Sequence, residues 1–186
     1  VDQWGTGLFV DTHNIDVDRF GFVWIGDRNG QIVYKFTKDG KQVMSIGTKG
    51  VKGDDTSEYA FNRASDTFVA PNGDIYVTDG YVNHRVVQYT KDGKFIRIIG
   101  GVKGDEPGKF DEVHGVQMDS KGRLVIMDIH LPGLSGIELA GAYEQSVDLA
   151  DASRGGREEL HKRGGLESVD AVMPGKVVRV LVAPGD

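Results

Sequence analysis

The sequence predicts a mainly β fold, an incomplete β-propeller of two and a half four-stranded blades followed by a mixed α/β tail. Three observations predict it. Residues 13–27, 65–79 and 114–128 align without a gap, starting 52 and then 49 residues apart. Each segment has a central glycine (Gly21, Gly73, Gly122) and ends on an aspartate after an apolar run (Asp27, Asp79, Asp128). The second halves of the first two repeats match as well, residues 31–41 against 85–95. Four short strands per repeat, at a period of about 40–50 residues, is the pattern of propeller blades.

The clearest copy runs from Ser65 to Gly100. Its strands are expected at 66–70, 75–79, 85–89 and 95–99, rich in β-branched and aromatic residues. Asn72-Gly73 and Asp92-Gly93 mark the tight turns, because these dipeptides tolerate positive φ. The first repeat precedes this unit, and the third stops halfway, at Asp128. Gly47–Arg63 and Gly100–Val113 join the repeats. They are long for connections inside a domain and read either as functional rim loops or as spacers. A propeller closes with four to eight blades. The open blade faces therefore predict a larger whole or self-association through the blade edges.

Composition fits a turn-rich β protein, with 27 Gly and 39% apolar residues in 186. A net charge of −6 disfavours nucleic acid and anionic membrane as partners. No cysteine is present, which excludes disulfides and thiolate metal sites. No apolar run approaches membrane-spanning length. Val1 is not an initiator Met and no signal peptide is visible, so the start reads as a processed or truncated end.

His13 and His114 hold the same place in two blades that flank a third. The first strand of each blade lines the propeller axis, so equivalent positions point at one another. Two imidazoles there either share a metal ion, best zinc, or are partly buried histidines satisfied by backbone carbonyls. Tyr81 follows Asp79-Gly80 at the end of the second strand of the central blade. It either packs on the sheet or reaches the channel, where a neighbouring cation would ease its ionisation as a base. Arg85 and Asp79 are placed to pair with each other or to hold a loop.

Residues 4–128 resemble the NHL-repeat propellers, and among them the peptidyl-α-hydroxyglycine α-amidating lyases. The resemblance rests on residues 47–57 (GTKGVKGDDTS), on 61–66 (FNRASD) with the run through Asp79-Gly80-Tyr81 to Arg85, and on 107–124 (PGKFDEVHGVQMDSKGRL). It implies a six-bladed propeller that binds zinc through channel histidines. It also implies cleavage of α-hydroxyglycine-extended peptides to a peptide amide and glyoxylate. By this resemblance His13 and His114 match zinc ligands, and Tyr81 matches the catalytic tyrosine, with Arg85 in the same motif. The pattern departs at three points. A third zinc histidine belongs to a later blade, an arginine is expected where Ile129 stands, and another is expected before the first histidine-bearing blade. The resemblance thus implies a peptide substrate, a partial zinc site and an incomplete catalyst. The rival reading is a non-catalytic scaffold that binds a protein partner. The lyase relatives suggest an extracytoplasmic origin.

Residues 124–139 (LVIMDIHLPGLSGIEL) resemble the third strand and following loop of response-regulator receiver domains, which would make Asp128 a phosphoacceptor. The acidic pair, Mg²⁺ site, and Thr and Lys strands of a receiver are not evident. Residues 137–149 read as helical, and 154–163 as linker or a short exposed helix. Residues 169–186 resemble the opening strands of biotinyl and lipoyl carrier domains and predict a β-hairpin bent at Gly175, with an edge to pair. No lysine matches the attachment site, so neither biotin nor lipoate is expected. Three partial resemblances in succession read as a composite rather than as a three-function enzyme.

Overall fold

The computed structural model describes residues 3–104, 106 and 108–129, together with strands 162–163, 166–173 and 176–183. The first blade is β1 (Thr12–Val17), β2 (Val23–Asp27), β3 (Ile32–Phe36) and β4 (Gln42–Gly47), antiparallel in chain order. The second is β5 (Asp66–Val69), β6 (Ile75–Asp79), β7 (Arg85–Tyr89) and β8 (Phe95–Gly100), again in chain order. The strands fall where the alternation and turn chemistry place them. Gly73 shows why the turns need their residues: its φ is +94° and its N–H closes on the Ala70 carbonyl.

The third blade opens with β9 (Val113–Met118) and β10 (Leu124–Asp128). Further strands pair onto the edge of β10. Strand β13 (Lys176–Ala183) pairs antiparallel with β10, Leu124 opposite Ala183 and Asp128 opposite Arg179. Strand β12 (Leu166–Met173) pairs with β13, and β11 (Lys162–Arg163) pairs with β12. Strands β12 and β13 thus pair antiparallel and, with β11, extend the third sheet beyond β10. The physical reason is the unpaired edge of β10, a row of N–H and C=O groups that takes any strand of matching length. The expected bend at Gly175, the helix at 137–149 and residues 154–161 of the expected linker lie outside the described residues, while the last two residues of that linker, Lys162 and Arg163, form β11.

Blades pack face to face through two cores. Trp24, Val33 and Ile46 of the first blade meet Val69, Ile75, Val77, Val87 and Tyr89 of the second, with Phe61 between. Tyr76 and Val86 of the second meet Val116, Leu124 and Ile126 of the third, around Phe110. Phe61 and Phe110 come from the two inter-blade segments and are fully buried. Those segments are therefore more than spacers, since each carries an anchor into the core. On the far side of the first blade, Trp4, Leu8 and Phe9 cover Ile25, Tyr34 and Phe36. Ile15 and Val17 of β1 remain exposed on that side.

The aspartate that ends the second strand of every blade has one role in common. Its carboxylate accepts backbone N–H groups of the segment leading into the first strand of that blade. Asp27 takes Val10 and Asp11, Asp79 takes Asn62, and Asp128 takes Asp111 and Glu112. This clamp sets where each first strand enters the channel. The repeat of Asp in the sequence is thus a repeat of this hydrogen bond.

Candidate functional site

The first strands β1, β5 and β9 run side by side, and the aligned residues are His13, Ser65 and His114. The central position is spent on structure. Ser65 Oγ donates to the Val113 carbonyl at 2.7 Å and lies 2.8 Å from Thr78 Oγ1, tying the second blade to the third. Gly80 lies at the same seam, where a Cβ would come within 1.8 Å of the Val113 carbonyl oxygen. This close approach brings the strand holding His114 up against the bend holding Tyr81.

The result is a three-ring cluster assembled from three blades. Tyr81 Oη and His13 Nε2 are hydrogen bonded at 2.9 Å. Ring centroids lie 5.2 Å apart for His13 and Tyr81, 5.5 Å for Tyr81 and His114, and 5.9 Å for His13 and His114, all edge to face. The two histidines, singled out by their equivalent places in the repeat, and Tyr81, singled out by its place after Asp79-Gly80, therefore meet. Each is half-buried.

Arg85 stands apart. It is fully buried, pairs with Asp79 at 3.0 Å and donates to the Ser57 and Ala60 carbonyls. Its guanidinium braces the segment between blades, the loop-holding alternative, and no contact joins it to the three rings. Asp128 is likewise buried at 4% exposure, with both carboxylate oxygens bonded to backbone amides. It serves here as the blade clamp.

Two arginines the sequence reading passed over do reach the cluster. The guanidinium carbon of Arg28 lies 5.4 Å from the centre of the Tyr81 ring, and that of Arg63 lies 5.6 Å from it. Arg28 follows Asp27 directly, the position occupied by Gly80 and Ile129 in the other repeats. Arg63 stands two residues before Ser65, the position of Asp11 and Glu112. The alignment of repeats held this signal, because positions flanking the channel residues recur around the same mouth. Arg28 is paired with Asp11 at 2.8 Å, and Asn29 donates to the same carboxylate.

These neighbours set the protonation states. Burial holds the His13 imidazole below its ordinary range, and the Arg28 charge adds to that. Burial lowers His114 too, with His13 adding. Both are therefore neutral near pH 7, the form that ligates metal. Burial raises the Tyr81 phenol, while the hydrogen bond and charge of Arg28 pull it back. Desolvation wins, so the eased ionisation expected beside a cation is not realised by the arginines alone.

The residues fit zinc as a partial site. A Zn–N bond of about 2.0–2.1 Å puts two imidazole centroids on one ion roughly 5–6 Å apart, and His13 and His114 stand at 5.9 Å. His114 Nδ1 is buried with no hydrogen-bond partner, an orphan that a ligand would satisfy. Among the described residues no group of three or more His, Cys, Asp or Glu side chains is placed to hold a metal.

The repeat is matched by a family model. Residues 61–89 fit the NHL repeat. A probable peptidyl-α-hydroxyglycine α-amidating lyase of Caenorhabditis elegans is 32% identical over 120 residues, covering 63% of this chain and 34% of the relative. NHL repeat-containing protein 3 of Homo sapiens is 34% identical over 112 residues, 57% of this chain and 32% of that protein. Peptidyl-α-hydroxyglycine α-amidating lyase 1 of Drosophila melanogaster is 33% identical over 101 residues, 53% of this chain and 18% of that one. The chain thus spans about a third or less of the length of these relatives. It carries one segment that matches the NHL repeat, and the chain is similar in sequence to the peptidyl-α-hydroxyglycine α-amidating lyases.

Proposed function

We propose that this chain is an NHL propeller module whose channel cluster is a partial lyase centre of the amidating type. The supporting observation is the convergence of His13, Tyr81 and His114 from three blades, with ring centroids within 5.9 Å of one another. The substrate class is a peptide extended by α-hydroxyglycine, and the products are a peptide amide and glyoxylate. His13 and His114, neutral at pH 7, would hold zinc. Bound there, zinc supplies Lewis-acid polarisation of the substrate hydroxyl. Tyr81 takes the hydroxyl proton and returns it to the amide nitrogen as the carbon–nitrogen bond breaks, so the proton count balances. Arg28 stabilises the phenolate during that exchange.

Catalytic zinc sites use three protein ligands and an open position. Two imidazoles support binding better than turnover, and that shortfall favours a second reading, a scaffold with no chemistry. Zinc per chain after gel filtration separates the two. The lyase reading expects about one zinc per chain or per dimer in the wild type and its loss in His114→Ala. Glyoxylate release from an α-hydroxyglycine peptide is then expected to be slow and zinc-dependent. A folded wild type without zinc leaves the scaffold.

A further inference from the structure

The two histidines of the cluster do not offer their ring nitrogens equally. Tyr81 Oη lies 2.9 Å from His13 Nε2. The direction of that bond follows from what else the phenol meets. Arg28 also hydrogen bonds to Tyr81, and a guanidinium carries donors only. The phenol oxygen accepts there, and its single hydrogen goes to His13, the other hydrogen-bond partner of Tyr81 among the described residues. Nε2 of His13 is then the unprotonated ring nitrogen, with its lone pair taken up by the phenol. His114 differs. Its ring meets Tyr81 edge to face, with centroids 5.5 Å apart, and its buried Nδ1 has no hydrogen-bond partner. One histidine of the pair is thus capped by Tyr81, and the other is open.

We propose that Tyr81 is a gate on the metal site: its hydroxyl occupies the His13 nitrogen that a metal ion would take, so zinc is held first by His114 and gains His13 only when Tyr81 lets go. This gate rests on the reading of His13 and His114 as zinc ligands. A lone pair serves one partner at a time, so the hydrogen bond and a metal bond at Nε2 exclude each other. Zinc binding must therefore give up the net worth of one hydrogen bond, about a fivefold loss of affinity. The exchange also changes Tyr81. Without zinc its hydroxyl is committed to a histidine, and with zinc it is free to meet a ligand. Loading the metal and releasing the phenol are one event.

The test uses the full chain, stripped of metal with EDTA and titrated with zinc at neutral pH against a chromogenic chelator. Tyr81→Phe keeps the ring in the edge-to-face cluster and removes only the hydroxyl. It should bind zinc about fivefold tighter than the wild type. A second readout needs no variant. Zinc should change the near-ultraviolet tyrosine absorbance of the wild type, because the phenol leaves its acceptor, and this decides the matter even where Tyr81→Phe folds poorly. In folded Tyr81→Phe the same change should be missing. Equal zinc affinity in the two proteins would mean that the metal uses the other nitrogen of His13, and weaker binding by Tyr81→Phe would mean that the hydroxyl supports the ion. Either result overturns the gate and leaves the zinc site standing, as does an unchanged wild-type spectrum at saturating zinc. Zinc held by neither protein overturns the lyase reading and the gate together.

Discussion

Asp66 shows how much one channel residue carries. It starts β5, and its carboxylate bridges all three blades. One oxygen accepts from the Thr67 N–H and from Asn14 Nδ2 of the first blade, and the other accepts from the Val116 N–H of the third. Burial nevertheless pushes this carboxyl up to about 6, against the hydrogen bonds that favour its charge. A folded pKa above the unfolded value means that the group's stabilisation is fully present below the ordinary carboxylate range. It is lost as pH rises through about 6. Asp66→Asn is insensitive to this. The stability of the wild type relative to Asp66→Asn should therefore be greater at pH 4 than at pH 7, by up to about 3 kcal/mol. Urea unfolding at the two pH values measures it, and an unchanged difference would sink the argument. The half-buried histidines work with the opposite sign. Their lowered pKa values withdraw stability as pH falls below the ordinary imidazole range.

The inter-blade segment is the element that most repays attention to its packing. Residues 48–65 leave the first blade at Gly47, bury Phe61, and turn back through Arg63 into β5. Nothing in their hydropathy pattern resembles an element. Arg85 organises them, since its guanidinium binds Asp79 and two carbonyls of the segment at zero exposure. Burial raises the Asp79 carboxyl, with Asn83 and Arg85 pulling it back. Removing Arg85 leaves a buried carboxylate without its cation, a loss of about 3–5 kcal/mol. Arg85→Ala should accordingly lower the free energy of unfolding by that amount in urea, and a loss within the range of a surface substitution would disprove the role. This element also shows where sequence reading succeeded in part. Pairing of Arg85 with Asp79 was legible from their opposed positions on adjacent strands. Arg63 was legible only as the residue two before an aligned channel position, because its approach to Tyr81 depends on a backbone angle and on a ring 18 residues away in the chain.

At the scale of the molecule, β11, β12 and β13 extend the third sheet. Apart from the channel contact of His13 with His114, the blades pack mainly on their neighbours, so a change at the outer edge of the third should stay local. Deleting residues 166–183 strips β10 of its partner along the whole strand. Hydrogen exchange should then speed up at the amides of β10, while β2 and β3 in the first blade keep their protection. Unchanged exchange in β10 would show that β13 contributes nothing to that edge.

The sequence by itself determined the repeat, the blade strands, the turns, and three channel residues, because period-2 alternation and Asn-Gly or Asp-Gly turns are local properties. It also carried His13 and His114 to one channel, because equivalent positions in adjacent blades must converge. Tertiary structure alone decided three other matters. Ser65, aligned with the histidines, ties blades together because the Val113 carbonyl lies within 2.7 Å. Arg28 and Arg63 join the cluster because the inter-blade segments end at the channel mouth. The C-terminal hairpin joins the third blade because an open strand edge accepts backbone partners whatever their side chains, and no local pattern encodes such a partner.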